Sequence, residues 1–148
     1  MGRLGWCCVA LLVCSGCEEP LQGSLEVSAR AGDSFRFTPD HCADGGELGY
    51  WGVHLRDERG RAVDVFKRDE VPHATVYAPG RAAFELNLDA CEQFEGKLTR
   101  RTVNGSGTMK GSLIFECDDG AGNVLVGEVS FKDCGSFEDH DDDDDDDW

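Results

Sequence analysis

The sequence predicts an all-β fold, an antiparallel β-sandwich or a small barrel, held together by two disulfides. Three observations support this prediction. Apolar and polar side chains alternate through short segments from residue 24 onward, which is the pattern of half-buried strands. No stretch of ten or more residues carries a convincing helical stripe. Four cysteines, an even number, lie within the same part of the chain.

Four candidate strands fill the first half of this region. In residues 50–56, Trp51, Val53 and Leu55 share one face, while His54 points outward and is expected to be solvated. The same two-residue period defines the other three strands and their inward residues: 24–30 (Leu25, Val27, Ala29), 34–38 (Phe35, Phe37) and 62–67 (Val63, Val65).

The second half shows the same alternation, with turns rich in Gly, Asn and Asp between the strands. Residues 82–90 place Phe84, Leu86 and Leu88 on one face, and strands over 112–117 and 123–134 close the domain. Gly, Asn and Asp tolerate positive φ or bond their own backbone, as tight reversals require. Because no helices intervene, the strands are expected to pair antiparallel rather than through βαβ units.

Strand register predicts how one cysteine pair forms. If Asn104 and Gly105 make a two-residue hairpin turn, Val103 faces Ser106 and Cys117 comes opposite residue 92. Cys91 is adjacent to residue 92, so this register favours a Cys91–Cys117 disulfide.

The following hairpin argues against the main competing pair. Its turn lies near residues 120–121, which places Cys134 opposite residue 107, about ten residues or ~34 Å along the strand from Cys117. Bridged Cα atoms lie within about 7 Å of each other. Cys117–Cys134 is therefore disfavoured, and the remaining pair is Cys42–Cys134.

The start of the chain has the organisation of an export signal. Arg3 precedes an apolar run from Leu4 to Val13, which is too short to cross a bilayer. We therefore expect residues 1–16 to be a signal peptide and residues 17–23 to be a tether to the domain. The domain is expected to cover residues 24–137.

Ser15 and Gly16 lead into Cys17, and this stretch resembles the lipobox of bacterial lipoproteins. The resemblance implies diacylglycerol on the Cys17 thiol, cleavage before that residue and acylation of the new amine. Cys14 stands where the lipobox usually has leucine. The alternative is a plain signal peptide with a free Cys17. Two to three acyl chains would anchor the protein firmly in a bilayer.

A second resemblance covers residues 91–134. The cysteines, the VNG and GSL segments and the final GEVSF hairpin resemble a pattern of small exported lipoproteins of Gram-negative bacteria. That class implies no particular activity. Together the two resemblances imply a lipid-anchored protein of the cell envelope, in the outer membrane.

Acidic residues are concentrated at the end of the chain. The formal net charge is −16, and residues 138–147 (EDHDDDDDDD) hold nine of the 30 Asp and Glu side chains. We expect residues 138–148 to form a disordered tail, because like charges repel and nothing there can be buried. The aspartates could associate weakly with Ca²⁺. Nucleic-acid binding is not expected of so acidic a chain.

The register also predicts a basic patch. Thr99 faces Lys110, so Lys97, Arg101 and Lys110 share one face as near or diagonal neighbours. The patch suggests an anionic partner, and our hypothesis is that the acidic tail visits it intermittently. Lipid head groups and envelope polyanions are the alternatives, and the simplest alternative is that all three side chains are merely solvated.

No catalytic motif occurs in the chain. Gly-x-Ser-x-Gly, His-Glu-x-x-His and a phosphate-binding glycine loop are missing, and the four histidines lack metal-ligand spacing. We therefore expect no enzymatic activity and no bound cofactor. Residues 49–51 (GYW) resemble the Gly-x-Trp of lipocalins, but we expect Trp51 to be a core residue instead.

The function expected from these observations is a non-enzymatic binding or structural role at the membrane, with an unknown envelope protein or polyanion as partner. The alternative is a carrier of a small apolar ligand inside a β-barrel. A secreted hydrolase accessory protein is the third class.

Overall fold

The computed structural model describes residues 21–103 and 106–135, and the strands that it contains are all antiparallel. Two short 3₁₀ helices, Gly45–Leu48 and Leu88–Ala90, interrupt them. In chain order the strands are β1 (Leu21–Ser28), β2 (Ser34–Phe37), β3 (His41–Asp44), β4 (Gly52–Arg56), β5 (Ala62–Arg68), β6 (Val71–Tyr77), β7 (Phe84–Asn87), β8 (Gln93–Val103), β9 (Ser106–Asp118) and β10 (Val124–Cys134).

Two five-stranded sheets form a sandwich. The first sheet has the order β2-β1-β10-β9-β8, and the second has the order β3-β4-β5-β6-β7. The sheets are not closed into a barrel. The all-β prediction is confirmed, and of the two predicted architectures the sandwich is the one that forms.

The core lies between the sheets and follows the two-residue period of the sequence. Leu25 and Phe37 of the first sheet and Leu55 and Val63 of the second are all fully buried in one cluster. Residues that alternate with them face outward. Most of the side chains that the alternation predicts to face inward are therefore found in the core.

The structure contains two strands that the sequence analysis missed, β3 and β6. The turn before β6 lacks glycine or asparagine, yet Asp69 and Glu70 both have positive φ, at 52° and 66°. A two-residue hairpin turn of this kind requires positive φ at both central positions. Acidic residues meet that requirement here, so the usual turn signal is missing from the sequence.

The hairpin of β8 and β9 has the predicted register. Val103 pairs with Ser106, and Thr99 pairs with Lys110. The β9–β10 pairing departs from expectation near its end, because the register shifts between Phe131 and Cys134.

Before the shift, each β10 residue pairs with a β9 residue one position later than predicted, and the shift adds one more, so Cys134 lies opposite Met109 rather than opposite residue 107. Asp133, within the irregular segment, has a positive φ of 58°. A bulge adds a residue to one strand and displaces every later pairing. One residue of the two-residue difference therefore comes from this irregularity, and the other comes from the position of the turn between β9 and β10.

The disulfides join Cys42 to Cys134 and Cys91 to Cys117, with Cα–Cα distances of 5.0 and 4.4 Å. These are the two pairs that the register argument favours. The first connects β3 of the second sheet to β10 of the first. It is thus a covalent link between the two layers.

The domain begins earlier than the sequence suggested. β1 starts at Leu21, which pairs with Phe131, so residues 21–23 belong to the first sheet rather than to the tether. The expected signal peptide, Cys17 and the acidic tail lie outside the described residues.

Within residues 21–103 and 106–135, no helix has the length and apolar character needed to cross a membrane.

Candidate functional site

Four polar side chains form a row across the outer face of the second sheet. His54 on β4 pairs with Asp64 on β5, Asp64 pairs with Thr75 on β6, and Thr75 pairs with Glu85 on β7. Their sequence neighbours Val53, Val63, Val65, Ala74, Val76 and Leu86 face the core. The same alternation that builds the core therefore lines up these polar groups outside it.

Asp64 is the centre of this row. It is 8% exposed, although it is on the outer face of its sheet. The Nδ1 atom of His54 is in hydrogen-bonding contact with its Oδ1 atom. The His54 side chain is 16% exposed, so the expectation of a solvated surface histidine is wrong. The contact with the Asp64 carboxylate fixes the orientation of the ring.

Aromatic rings cover Asp64. The ring of Tyr50 lies 5.6 Å from that of Phe66, and Phe66 stacks on His73 with centroids 5.7 Å apart. Tyr50 reaches this position because Gly45 lies beneath it, where any Cβ atom would collide with the ring. Tyr77, 41% exposed, stands at the open side.

One more acidic side chain, Glu85, and the basic side chains of Lys67 and Arg68 complete the surroundings of Asp64. Glu85 accepts hydrogen bonds from both terminal nitrogens of Arg68, at 2.9 and 3.1 Å. Its Oε1 atom is also 3.0 Å from Nδ1 of His73. Lys67 lies at the rim, with Nζ 5.7 Å from the centre of the Trp51 ring.

These groups enclose an open cleft of about 460 Å³, which we call the aromatic–carboxylate cleft. It is lined by Tyr50, Asp64, Phe66, Lys67, Arg68, Thr75, Tyr77 and Glu85. Rings with polar groups between them are typical of binding sites, where rings supply contact area and the polar groups fix orientation.

Both tyrosines of the cleft remain protonated in ordinary conditions. Burial, followed by the negative charge of Asp64, raises the pKa of Tyr50 strongly above its usual value. The same two causes, in the same order, raise the pKa of Tyr77. Each phenol therefore stays a hydrogen-bond donor.

This shift predicts a loss of stability at alkaline pH. An unfolded tyrosine ionises at about pH 10, and the pKa values of the folded protein are higher. The stability that these raised pKa values contribute is complete below the unfolded pKa and is lost as the pH rises through the folded pKa values. Because the chain has only two tyrosines, both in the cleft, tyrosinate absorbance reports on this site alone.

In an alkaline titration of the native protein we expect the tyrosinate absorbance to rise only well above pH 10. In urea, where the protein is unfolded, the same rise should occur at about pH 10. In Tyr77→Phe the remaining absorbance change belongs to Tyr50, and its midpoint should lie furthest above that of the unfolded protein. A native midpoint equal to that of the unfolded protein would contradict the burial of these phenols.

A second groove, about 660 Å³, lies beside the turn between β4 and β5 and is lined in part by Phe35, Arg36, Asp57 and Arg61. The buried carboxylate of Asp57 accepts hydrogen bonds from the backbone N–H groups of Arg59 and Arg61, both at 3.0 Å. Arg61 Nε also donates to it, at 2.6 Å. These bonds close the turn, so this carboxylate has a structural role.

The predicted basic patch lies on the outer face of the first sheet. Lys97, Arg101 and Lys110 are all exposed, and the Thr99–Lys110 pairing brings them together as the register required. Arg100, between them in sequence, turns to the other face and contacts Asp44 of the second sheet. The tail that we hypothesise to visit this patch is outside the described residues.

The sequence analysis missed the cleft, and it placed Trp51 in the core. Trp51 is instead 41% exposed, at the end of the second sheet beside the cleft. One signal was present in the sequence. The alternation that turns Val63 and Val65 inward necessarily turns Asp64 and Phe66 outward, and an outward phenylalanine beside an aspartate indicates a surface that is not merely solvated.

Among the described residues, no group of three or more His, Cys, Asp or Glu side chains is arranged to hold a metal ion. The Asp-rich run expected to associate weakly with Ca²⁺ lies beyond these residues. Comparison of the chain with protein-family models, with curated proteins and with solved structures gives no match.

Proposed function

We propose that this protein is an exported, lipid-anchored protein of the cell envelope, that it sits in the outer membrane, and that it binds a ligand without catalysing a reaction. The observation that carries the proposal is the pair of disulfides, which uses all four cysteines of the domain. Disulfides form and persist in oxidising compartments outside the cytosol. The leader-like residues 1–16 support the same location.

Cys17 supplies the anchor in this proposal. It precedes Leu21, the first residue of β1, by four positions. A fully extended chain of that length spans at most about 14 Å. The partner of the anchor is thus the lipid bilayer, and the domain is held close to its surface.

The aromatic–carboxylate cleft is the binding surface in this proposal. It is the place where exposed rings and hydrogen-bonding groups converge on one rigid sheet face. Sites on regular elements hold their side chains more firmly than sites on loops do. A carrier function inside a barrel has no support, since the sheets are not closed and the interior is filled by large side chains such as Phe37 and Phe115.

The anchor is tested by Cys17→Ser in a Gram-negative host. We expect the variant to lose lipoprotein processing and to leave the membrane fraction, because it lacks the thiol that carries diacylglycerol. Mass spectrometry of the wild-type protein should show an acylated Cys17 at the N-terminus.

The matched control is Cys14→Leu, which installs the residue usual at that lipobox position and should keep the protein in the membrane fraction. A non-reducing gel should show that both variants form their disulfides and were exported. An unmodified wild-type N-terminus would contradict the anchor and support a plain signal peptide.

A further inference from the structure

We propose that the aromatic–carboxylate cleft binds a sugar unit of a neutral oligosaccharide, such as an uncharged segment of an envelope glycan. This inference rests on the proposed binding role and names its ligand class. It follows from the flat rings, the hydrogen-bonding groups and the balanced charge of the cleft.

The rings provide flat surfaces that match the C–H faces of a sugar. Tyr77 is substantially exposed, and Tyr50 and Phe66 continue the aromatic surface inward. Aromatic side chains offer large contact area while losing little conformational entropy, since they have only two rotatable bonds. A pyranose ring can therefore pack on this surface without ordering a mobile segment.

The cleft offers hydrogen-bonding groups to a ligand. The hydroxyl of Tyr50 is buried and lies beside the Asp64 carboxylate, but their contact does not have standard hydrogen-bond geometry. A buried hydroxyl that is poorly hydrogen-bonded is unfavourable. Sugar hydroxyls both donate and accept, so they can satisfy Tyr50 together with the hydroxyls of Thr75 and Tyr77.

The balance of charge favours a neutral ligand. Asp64 and Glu85 are matched by Lys67 and Arg68 around the same opening. A cation at Glu85 would have to displace its bidentate partner Arg68, and an anion at Arg68 would have to displace Glu85. An apolar ligand would cover these polar groups without pairing them, which is unfavourable.

The test is isothermal titration of the full-length protein in a detergent that lacks a sugar head group. The neutral probes are maltotetraose, cellotetraose and tetra-N-acetylchitotetraose, and the charged probes are tetralysine and tetraglutamate. We expect at least one neutral probe to bind. Tyr77→Ala and Arg68→Ala should each weaken that binding about tenfold, a change typical of losing an aromatic contact or a charged hydrogen-bonding group.

Two further variants separate binding from structure. Tyr50→Phe should weaken sugar binding while leaving the urea midpoint nearly unchanged, because in the free protein the hydroxyl makes only a poorly aligned contact with Asp64. Arg36→Ala breaks the exposed Arg36–Glu26 pair, 2.8 Å, on the outer face of the other sheet. It should leave binding unchanged.

The outcomes distinguish the ligand class from the binding role. If only tetralysine or tetraglutamate binds and the cleft variants abolish it, the sugar assignment is overturned while the binding role stands. If no probe binds, and if the cleft variants capture solubilised envelope components as well as the wild type does, both the sugar assignment and the binding role of the cleft are overturned. Sugar binding that is insensitive to Tyr77→Ala and Arg68→Ala would place the site elsewhere and overturn this proposal.

Discussion

Removing the disulfide between Cys42 and Cys134 by changing both residues to alanine should lower the free energy of unfolding by about 4.5 kcal/mol. The bond closes a loop of 92 residues, and the entropy that a cross-link removes from the unfolded chain grows with loop length. It also joins the two sheets, so no local hairpin can substitute for it. Urea unfolding followed by circular dichroism measures the change.

The second disulfide provides the matched comparison. Cys91 and Cys117 close a loop of 26 residues between neighbouring segments of one sheet, and the same change there should cost about 3.5 kcal/mol. We therefore expect the Cys42–Cys134 variant to unfold at the lower urea concentration. The reverse order would show that native packing, rather than constraint of the unfolded chain, controls the stabilisation.

Replacing Asp64 with alanine should lower the free energy of unfolding by about 2–3 kcal/mol, because it removes the buried carboxylate that contacts the half-buried His54 ring. Asp64→Asn should recover part of the loss, since the amide oxygen can still accept. Asp64→Asn should also lower the pKa values of Tyr50 and Tyr77 towards that of an unfolded tyrosine, because Asp64 contributes to both upward shifts.

Glu85→Ala is the control for this experiment. Glu85 lies in the same row but is substantially more exposed, and exposed ion pairs contribute only about 0–1 kcal/mol. The double variant His54→Ala with Asp64→Ala should cost less than the sum of the single changes. An equal loss for Asp64→Ala and Glu85→Ala would contradict a central structural role for Asp64.

The two proposals combine into one arrangement at the membrane. A domain held close to the bilayer by Cys17 would present the outer face of its second sheet to glycans of the same envelope. The Cys17→Ser and titration experiments are independent of each other, since the cleft does not require the anchor in order to bind a soluble tetrasaccharide.

The sequence by itself determined the features that depend on neighbours along the chain. Alternation identified the inward residues, because a strand exposes every second side chain to the same face. A two-residue turn predicted at Asn104 and Gly105 implies a single β8–β9 register, which is the observed one, and that register led to both disulfide pairs.

Only the tertiary structure decided the features that depend on which strands lie side by side. Asp69 and Glu70 lack the glycine or asparagine that usually marks a hairpin turn, yet they form the turn that brings β6 beside β5. The cleft then takes its groups from β5, β6 and β7 and from the segment before β4. Alternation assigns Asp64 an outward position, but the rings of Tyr50 and Tyr77 bury it, and their approach depends on lateral packing that no local period encodes.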